Sequence, residues 1–213
     1  MQSFLSMAIP YKTPTVVMDL NRGDEFSCGT SPETFGILQD IMEATLISEA
    51  SQKAGINKHR IQFDLKWSRL ERRFDALDLL DDSIQHHGQE RYIYDSCRLA
   101  ALIHWSSLNS EIPFSSLGHQ RYVTGLKYAL GKMNTQLWLT TEPEIFVWVC
   151  LTGVLAAQNK LERARFLAQA GPALMSLGVE RVGGGIAHFK WLTQLHKLGV
   201  VSIDSAAFGT TSL

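Results

Sequence analysis

Cysteine is scarce in this sequence, and its spacing argues against a metal or disulfide framework. The three cysteines, Cys28, Cys97 and Cys150, lie far apart and form no Cys-x-x-Cys pair. We therefore expect buried free thiols in a reducing compartment. The first residues also lack the basic stretch and long apolar run of a signal peptide. The sequence thus predicts an intracellular protein, in the nucleus or the cytoplasm.

An excess of positive charge is also missing. The chain has 20 basic and 21 acidic residues, which give a formal net charge of −1. Proteins that bind duplex DNA obtain most of their affinity by neutralising its phosphates with Lys and Arg. We therefore expect no direct binding of nucleic acid by this chain.

Apolar runs long enough to span a membrane are missing too. The stretch Ile145 to Ala157 (IFVWVCLTGVLAA) has ~13 residues, against the roughly 20 that a membrane helix needs. Because it is apolar on every helical face, it predicts a buried central helix and no membrane contact. Thr141 and Glu144 match a capping box at its start, and Pro143 suits the first turn.

Recognisable catalytic motifs are absent. The sequence has no Gly-x-Ser-x-Gly elbow, no P-loop, and no arguable Ser/His/Asp or Cys/His arrangement. We therefore expect no enzymatic activity, no catalytic residues, no cofactor and no bound metal.

What the sequence does contain is helical periodicity. It predicts an all-α, helical-bundle-like single domain over residues 31–200, with about seven helices around the central one. Residues 1–30 are predicted to be an irregular leader, and residues 201–213 a flexible tail. Ser31 should cap the first helix. The fourth should run through Leu137 with one apolar seam, the sixth should kink or split at Gly171-Pro172, and the last should cover Ile186 to Leu198.

Three polar or glycine-rich clusters each allow two interpretations. Asp81-Asp82 resembles the aspartate-rich, magnesium-binding helix of terpene cyclases, but Gln85 replaces the final acid, so a solvated acidic turn competes with a diphosphate site. His86-His87 with Glu90 lacks a third ligand and is interrupted by Gly88, so surface histidines are favoured over a metal site. Gly183 to Gly185 could face a phosphate or serve as a hinge.

Four residues are candidates for a ligand pocket or a structural polar site: Arg98, His104, Trp105 and Trp148. Aromatic side chains on helices line either a core or a pocket between helices. Burying an unpaired Arg98 would be costly. We therefore predict that Arg98 caps a helix end or pairs with a carboxylate, such as that of Asp95.

The segment Tyr94 to Ile103 (YDSCRLAALI) lies on the predicted third helix. It is similar to a tyrosine/acid-x-Cys-Arg-Leu-Ala segment in the C-terminal regulatory region of fungal zinc-cluster transcription factors, and from this helix onward the chain resembles that region. A spacer helix around Leu126 to Met133, the stretch Trp148 to Gly153 and the aromatic cluster Phe189 to Leu192 follow in family-like order. The resemblance covers roughly residues 30 to 200.

The resemblance implies a non-catalytic, transcription-regulator-like domain. Its expected partners are proteins of the transcription machinery, a second copy of the chain, or a small apolar ligand. The family's DNA-binding module uses six cysteines to hold two zinc ions, and nothing in these residues matches it. A helical small-molecule enzyme or binder from a fungal biosynthetic pathway, based on Asp81-Asp82, is the alternative hypothesis.

Overall fold

Helices make up most of the structure. The computed structural model describes residues 31–53, 65–79, 88–109 and 113–177, and within these ranges it has seven α-helices and no strand. The all-α prediction is confirmed. The helices are α1 (Pro32–Lys53), α2 (Leu65–Leu79), α3 (Gln89–Asn109), α4 (Gln120–Lys132), α5 (Thr135–Thr141), α6 (Pro143–Ala156) and α7 (160–177). A short 3-10 turn, Leu117–His119, leads directly into α4.

Helix α3 has the most extensive packing with other helices. It contacts α1, α2, α4 and α6, and its contacts with α1 and α4 are the broadest in the described ranges. Cys97, Ala100, Ala101 and Ile103 on this helix are 0% exposed. Several of these side chains are small, so neighbouring helices can approach from more than one side. Helix α3 is therefore the hub of the fold.

Helix α6 is buried, as its sequence predicted. Phe146, Val149 and Cys150 are at most 1% exposed, and the helix packs against α3, α4 and α5. None of the helices in the described ranges is both long enough and apolar enough to cross a bilayer. The most apolar of the described helices thus lies within the protein, beside the hub.

The predicted capping box at the start of α6 is wrong. Pro143 does occupy the first turn, but the N-cap is Glu142, which makes no side-chain capping bond. Thr141 instead ends α5, where its hydroxyl donates to the Leu137 carbonyl at 3.1 Å. The hydroxyl cannot cap α6 because the preceding helix continues through Thr141.

The predicted fourth helix is two helices. Val123, Leu126 and Leu130 form the expected buried seam on α4, but Met133 adopts an extended backbone and stops the helix. The chain restarts at Asn134, whose side chain caps α5 by accepting from the Leu137 N–H at 3.3 Å. Leu137, expected on the same seam, is 41% exposed. The break rotates α5 out of register with α4.

Some of the other predicted helix boundaries lie within the described residues. Ser31 caps α1 as predicted, since its hydroxyl accepts from the Thr34 N–H at 3.2 Å. Helix α7 continues through Gly171 and Pro172 without the predicted split. The leader 1–30, the last predicted helix 186–198 and the tail 201–213 lie outside the described residues.

Candidate functional site

His104 and Trp148 lie together where α1, α3 and α6 meet. Their ring centroids are 6.1 Å apart, and the side chains are 2% and 4% exposed. The edge of Phe114 packs against His104 at 5.9 Å, and Thr45 Oγ1 lies 3.5 Å from His104 Nε2. This junction is an aromatic contact of the core that contains one polar ring.

Trp105 faces a different neighbour. Its ring stacks on Phe74 at 4.7 Å and lies 4.9 Å from Trp67, both on α2. The Trp67 indole N–H donates to Asn109 Oδ1 at 3.1 Å, which satisfies its polar atom at the end of α3. This aromatic cluster attaches α2 to the hub.

Arg98 joins the same two helices at the other end of α2. Its guanidinium donates to the Leu77 carbonyl at 3.2 Å and lies 3.9 Å from the Asp95 carboxylate. Leu77 is in the last turn of α2, where carbonyls have no partner within the helix and cations are favoured. Of the two predicted roles, the structure shows the helix cap directly, through the bond to Leu77, and it places the Asp95 carboxylate 3.9 Å away.

The four predicted residues therefore divide between two junctions. His104 and Trp148 contact each other, whereas Trp105 and Arg98 both contact α2. Their contacts connect helices of the bundle.

A serine–histidine pair that the sequence did not predict lies at the C-terminal half of α3. Ser106 Oγ is 2.5 Å from His119 Nε2, and His119 Nδ1 is 2.8 Å from the Phe114 carbonyl oxygen. Ser106 is half-buried, while His119 is only 2% exposed. A backbone carbonyl, that of Phe114, takes the place of the carboxylate, so the pair differs from a Ser/His/Asp arrangement.

The hydrogen bonds define the state of His119. A carbonyl oxygen can only accept, so Nδ1 carries the hydrogen, and in the neutral ring Nε2 must accept from the Ser106 hydroxyl. Burial lowers the pKa of His119, and the bond to the Phe114 carbonyl opposes this shift only in part. The neutral ring that can accept a proton from Ser106 is thus the favoured form at neutral pH.

The pair was missed because its members are 13 residues apart, on two helices, with a loop between them. The usable signal was the short connection between the two helices, which favours antiparallel packing of α3 and α4. That pairing brings the end of α3 close to the start of α4, where His119 lies.

Metal and phosphate candidates are not supported by the described residues. In that part of the chain, no three His, Cys, Asp or Glu side chains are placed to hold a metal ion together. Asp81, Asp82, His86 and His87, and the glycines 183–185, lie outside the described residues.

Comparisons with known proteins add no further candidate. No protein-family model matches this chain, and no curated protein or solved structure matches it.

Proposed function

We propose that this chain is a non-catalytic, transcription-regulator-like helical domain that acts through protein contacts or a small apolar ligand. The observation that carries the proposal is the position of the segment Tyr94 to Ile103. This segment bears the resemblance to the regulatory region of fungal zinc-cluster factors, and it forms the middle of α3. Helix α3 packs against four neighbouring helices, so it is suited to pass a change at one of them to the others.

The contacts of Arg98, a charged residue within this segment, support the same role. Arg98 is the arginine of the family-like Cys-Arg-Leu-Ala stretch, and it connects α3 to the last turn of α2. Its side chain is 14% exposed and depends on partners from its surroundings. Movement of α2 therefore changes the environment of a charge in the hub, and regulation in this proposal acts through that change.

The outer surface offers apolar contact area for partners. Leu117, Tyr128 and Leu161 are 78%, 62% and 71% exposed, and they lie on or next to α4 and α7. The chain has three cysteines, fewer than the six of the family's zinc cluster. We therefore assign DNA recognition to another polypeptide or segment, and nuclear protein partners or self-association to this domain.

A tethering experiment tests the proposal. The full chain is fused to a heterologous DNA-binding domain, and the output of a matching reporter gene is compared with that of the DNA-binding domain alone. We expect a reproducible increase or decrease in reporter output at equal protein abundance. A folded, nuclear fusion that leaves the output unchanged would contradict the proposal. Sedimentation of the purified chain over a concentration series separately tests self-association.

A further inference from the structure

We propose that Ser106 is a nucleophile that accepts an acyl group from small activated esters, with His119 as its base. The inference goes beyond the regulatory function proposed above. It rests on three linked groups: the half-buried hydroxyl, the buried imidazole at 2.5 Å, and the Phe114 carbonyl oxygen at 2.8 Å. A nucleophile bonded to a base that a third group orients is the arrangement required for nucleophilic attack.

Neighbouring hydroxyls show what distinguishes Ser106. Ser107 is 2% exposed, and its hydroxyl donates to the Ile103 carbonyl at 3.0 Å, the usual bond of a serine within a helix. Ser106 also lies 3.1 Å from the Ile103 carbonyl, but its contact with His119 is much shorter. Because Nε2 of the neutral ring can only accept, the Ser106 hydrogen is directed to His119. Attack is then coupled to removal of that hydrogen.

In the proposed acyl transfer, each bond that forms is matched by one that breaks, and the proton passes through His119. Ser106 Oγ forms a bond to the carbonyl carbon of the ester, and its proton passes to His119 Nε2. The bond between that carbon and the leaving oxygen breaks, and the leaving alcohol or phenol takes the proton from Nε2. The Phe114 carbonyl holds Nδ1–H throughout and stabilises the transient imidazolium. The product is an O-acyl Ser106 and a neutral His119.

Acetylation by p-nitrophenyl acetate tests this role in the full chain. Intact mass and peptide mapping should find one acetyl group on Ser106. We expect no adduct at this position in Ser106→Ala. In His119→Asn, the rate of Ser106 acetylation should fall by roughly 10²-fold or more, because general bases contribute about 10²–10⁴-fold. Asn can still donate to the Phe114 carbonyl, so the loop contact is retained. Ser107→Ala is the matched control and should be acetylated like the unaltered chain.

The pH profile provides a second measurement that requires no variant. Acetylation of Ser106 should be constant near neutral pH and should fall only as the pH drops through the pKa of folded His119, which burial holds below 6.5. Acetyl groups only on lysines or the N-terminus, or a rate on Ser106 that rises steadily with hydroxide, would overturn the proposal. Sustained release of p-nitrophenol that Ser106→Ala abolishes would support the nucleophile and contradict only the non-catalytic function proposed above.

Discussion

The ring of Phe166 in α7 lies directly on the backbone of Gly153 in α6. A β-carbon built on Gly153 would be 2.7 Å from Cδ1 and Cε1 of Phe166, closer than side-chain atoms approach in folded proteins. Both residues are buried. The two helices therefore fit together because residue 153 has no side chain.

This contact predicts that Gly153→Ala destabilises the protein. The added methyl group forces the ring or the helices apart, and overpacking of this kind costs about 1–3 kcal/mol. The free energy of unfolding from urea titration measures the effect. Gly131→Ala is the matched control, since nothing lies within 4 Å of its added β-carbon. That control should be neutral or stabilise α4 by up to about 1 kcal/mol; an equal loss in both variants would contradict the packing argument.

A second prediction concerns Arg98. Arg98→Met removes the donor to the Leu77 carbonyl and leaves that group without its charged partner. We expect a loss of about 1–3 kcal/mol in unfolding free energy. Arg91→Met on the same helix is the control, because Arg91 is largely exposed and lies 3.7 Å from the same Asp95 carboxylate. Its effect should stay within about 0.5 kcal/mol. Unchanged thermal stability in Arg98→Met would refute the capping role.

The sequence predicted those parts of the fold that depend on local pattern. Trp67, Leu70 and Phe74, which are spaced by three and four residues as helical periodicity requires, are buried on α2, and Ser31 caps α1. Arg98 was also predicted correctly, because a charge within an apolar run needs a partner wherever the run is buried. In each case, the expected structure follows from the chemistry of the residue and of its near neighbours in the sequence.

Parts that depend on competition between neighbouring segments were predicted less well. The Asn134 cap was overlooked because the apolar spacing continues through the break at Met133. On α1, Ile37, Leu38 and Ile41 are buried whereas Phe35, Met42 and Leu46 are only partly buried, so apolar spacing alone does not identify the buried face of this helix. Apolar residues lie on more than one face of α1, so packing against the neighbouring helices determines which face is buried.

The candidate site was harder to predict than the helix boundaries, because it depends on contacts between segments that are distant in the sequence. The sequence indicated that His104 and Trp148 could be core or pocket residues, and only their contacts with each other and with Phe114 define the junction. The contact of Ser106 with His119 depends on how α3 and α4 dock. No periodicity within either helix encodes a hydrogen bond between them.

A third prediction concerns acid. The folded chain holds the pKa of His119 below its ordinary value of 6.5 because the ring is buried. Above 6.5 the ring is neutral in both states. As pH falls below 6.5, the unfolded chain binds the proton first, so unfolding becomes easier until pH reaches the lowered folded value. The difference in unfolding free energy between the unaltered chain and His119→Asn should shrink over this window. A difference independent of pH would contradict the neutral, buried state.

A fourth prediction concerns Cys97 and Cys150, the two cysteines in the described part of the chain, both of which are buried. Burial raises the pKa of Cys150 to about 12 and raises that of Cys97 further, so neither forms a thiolate at neutral pH. Alkylation by iodoacetamide, followed site by site by mass spectrometry, should be slow at both in the native protein. The same sites should react rapidly in urea. Fast labelling of Cys97 without denaturant would show that α3 is accessible to solvent.

Native-state hydrogen exchange tests the central claim, that the helix bearing the family-like segment is the hub of the fold. The amides of residues 97–103 on α3 should be among the slowest to exchange, with opening free energies close to that of global unfolding. Those near the C-terminal end of α7 should exchange faster. If the α3 amides instead opened by local fluctuation while α1 and α4 stayed protected, the hub and the regulatory role built on it would both be contradicted.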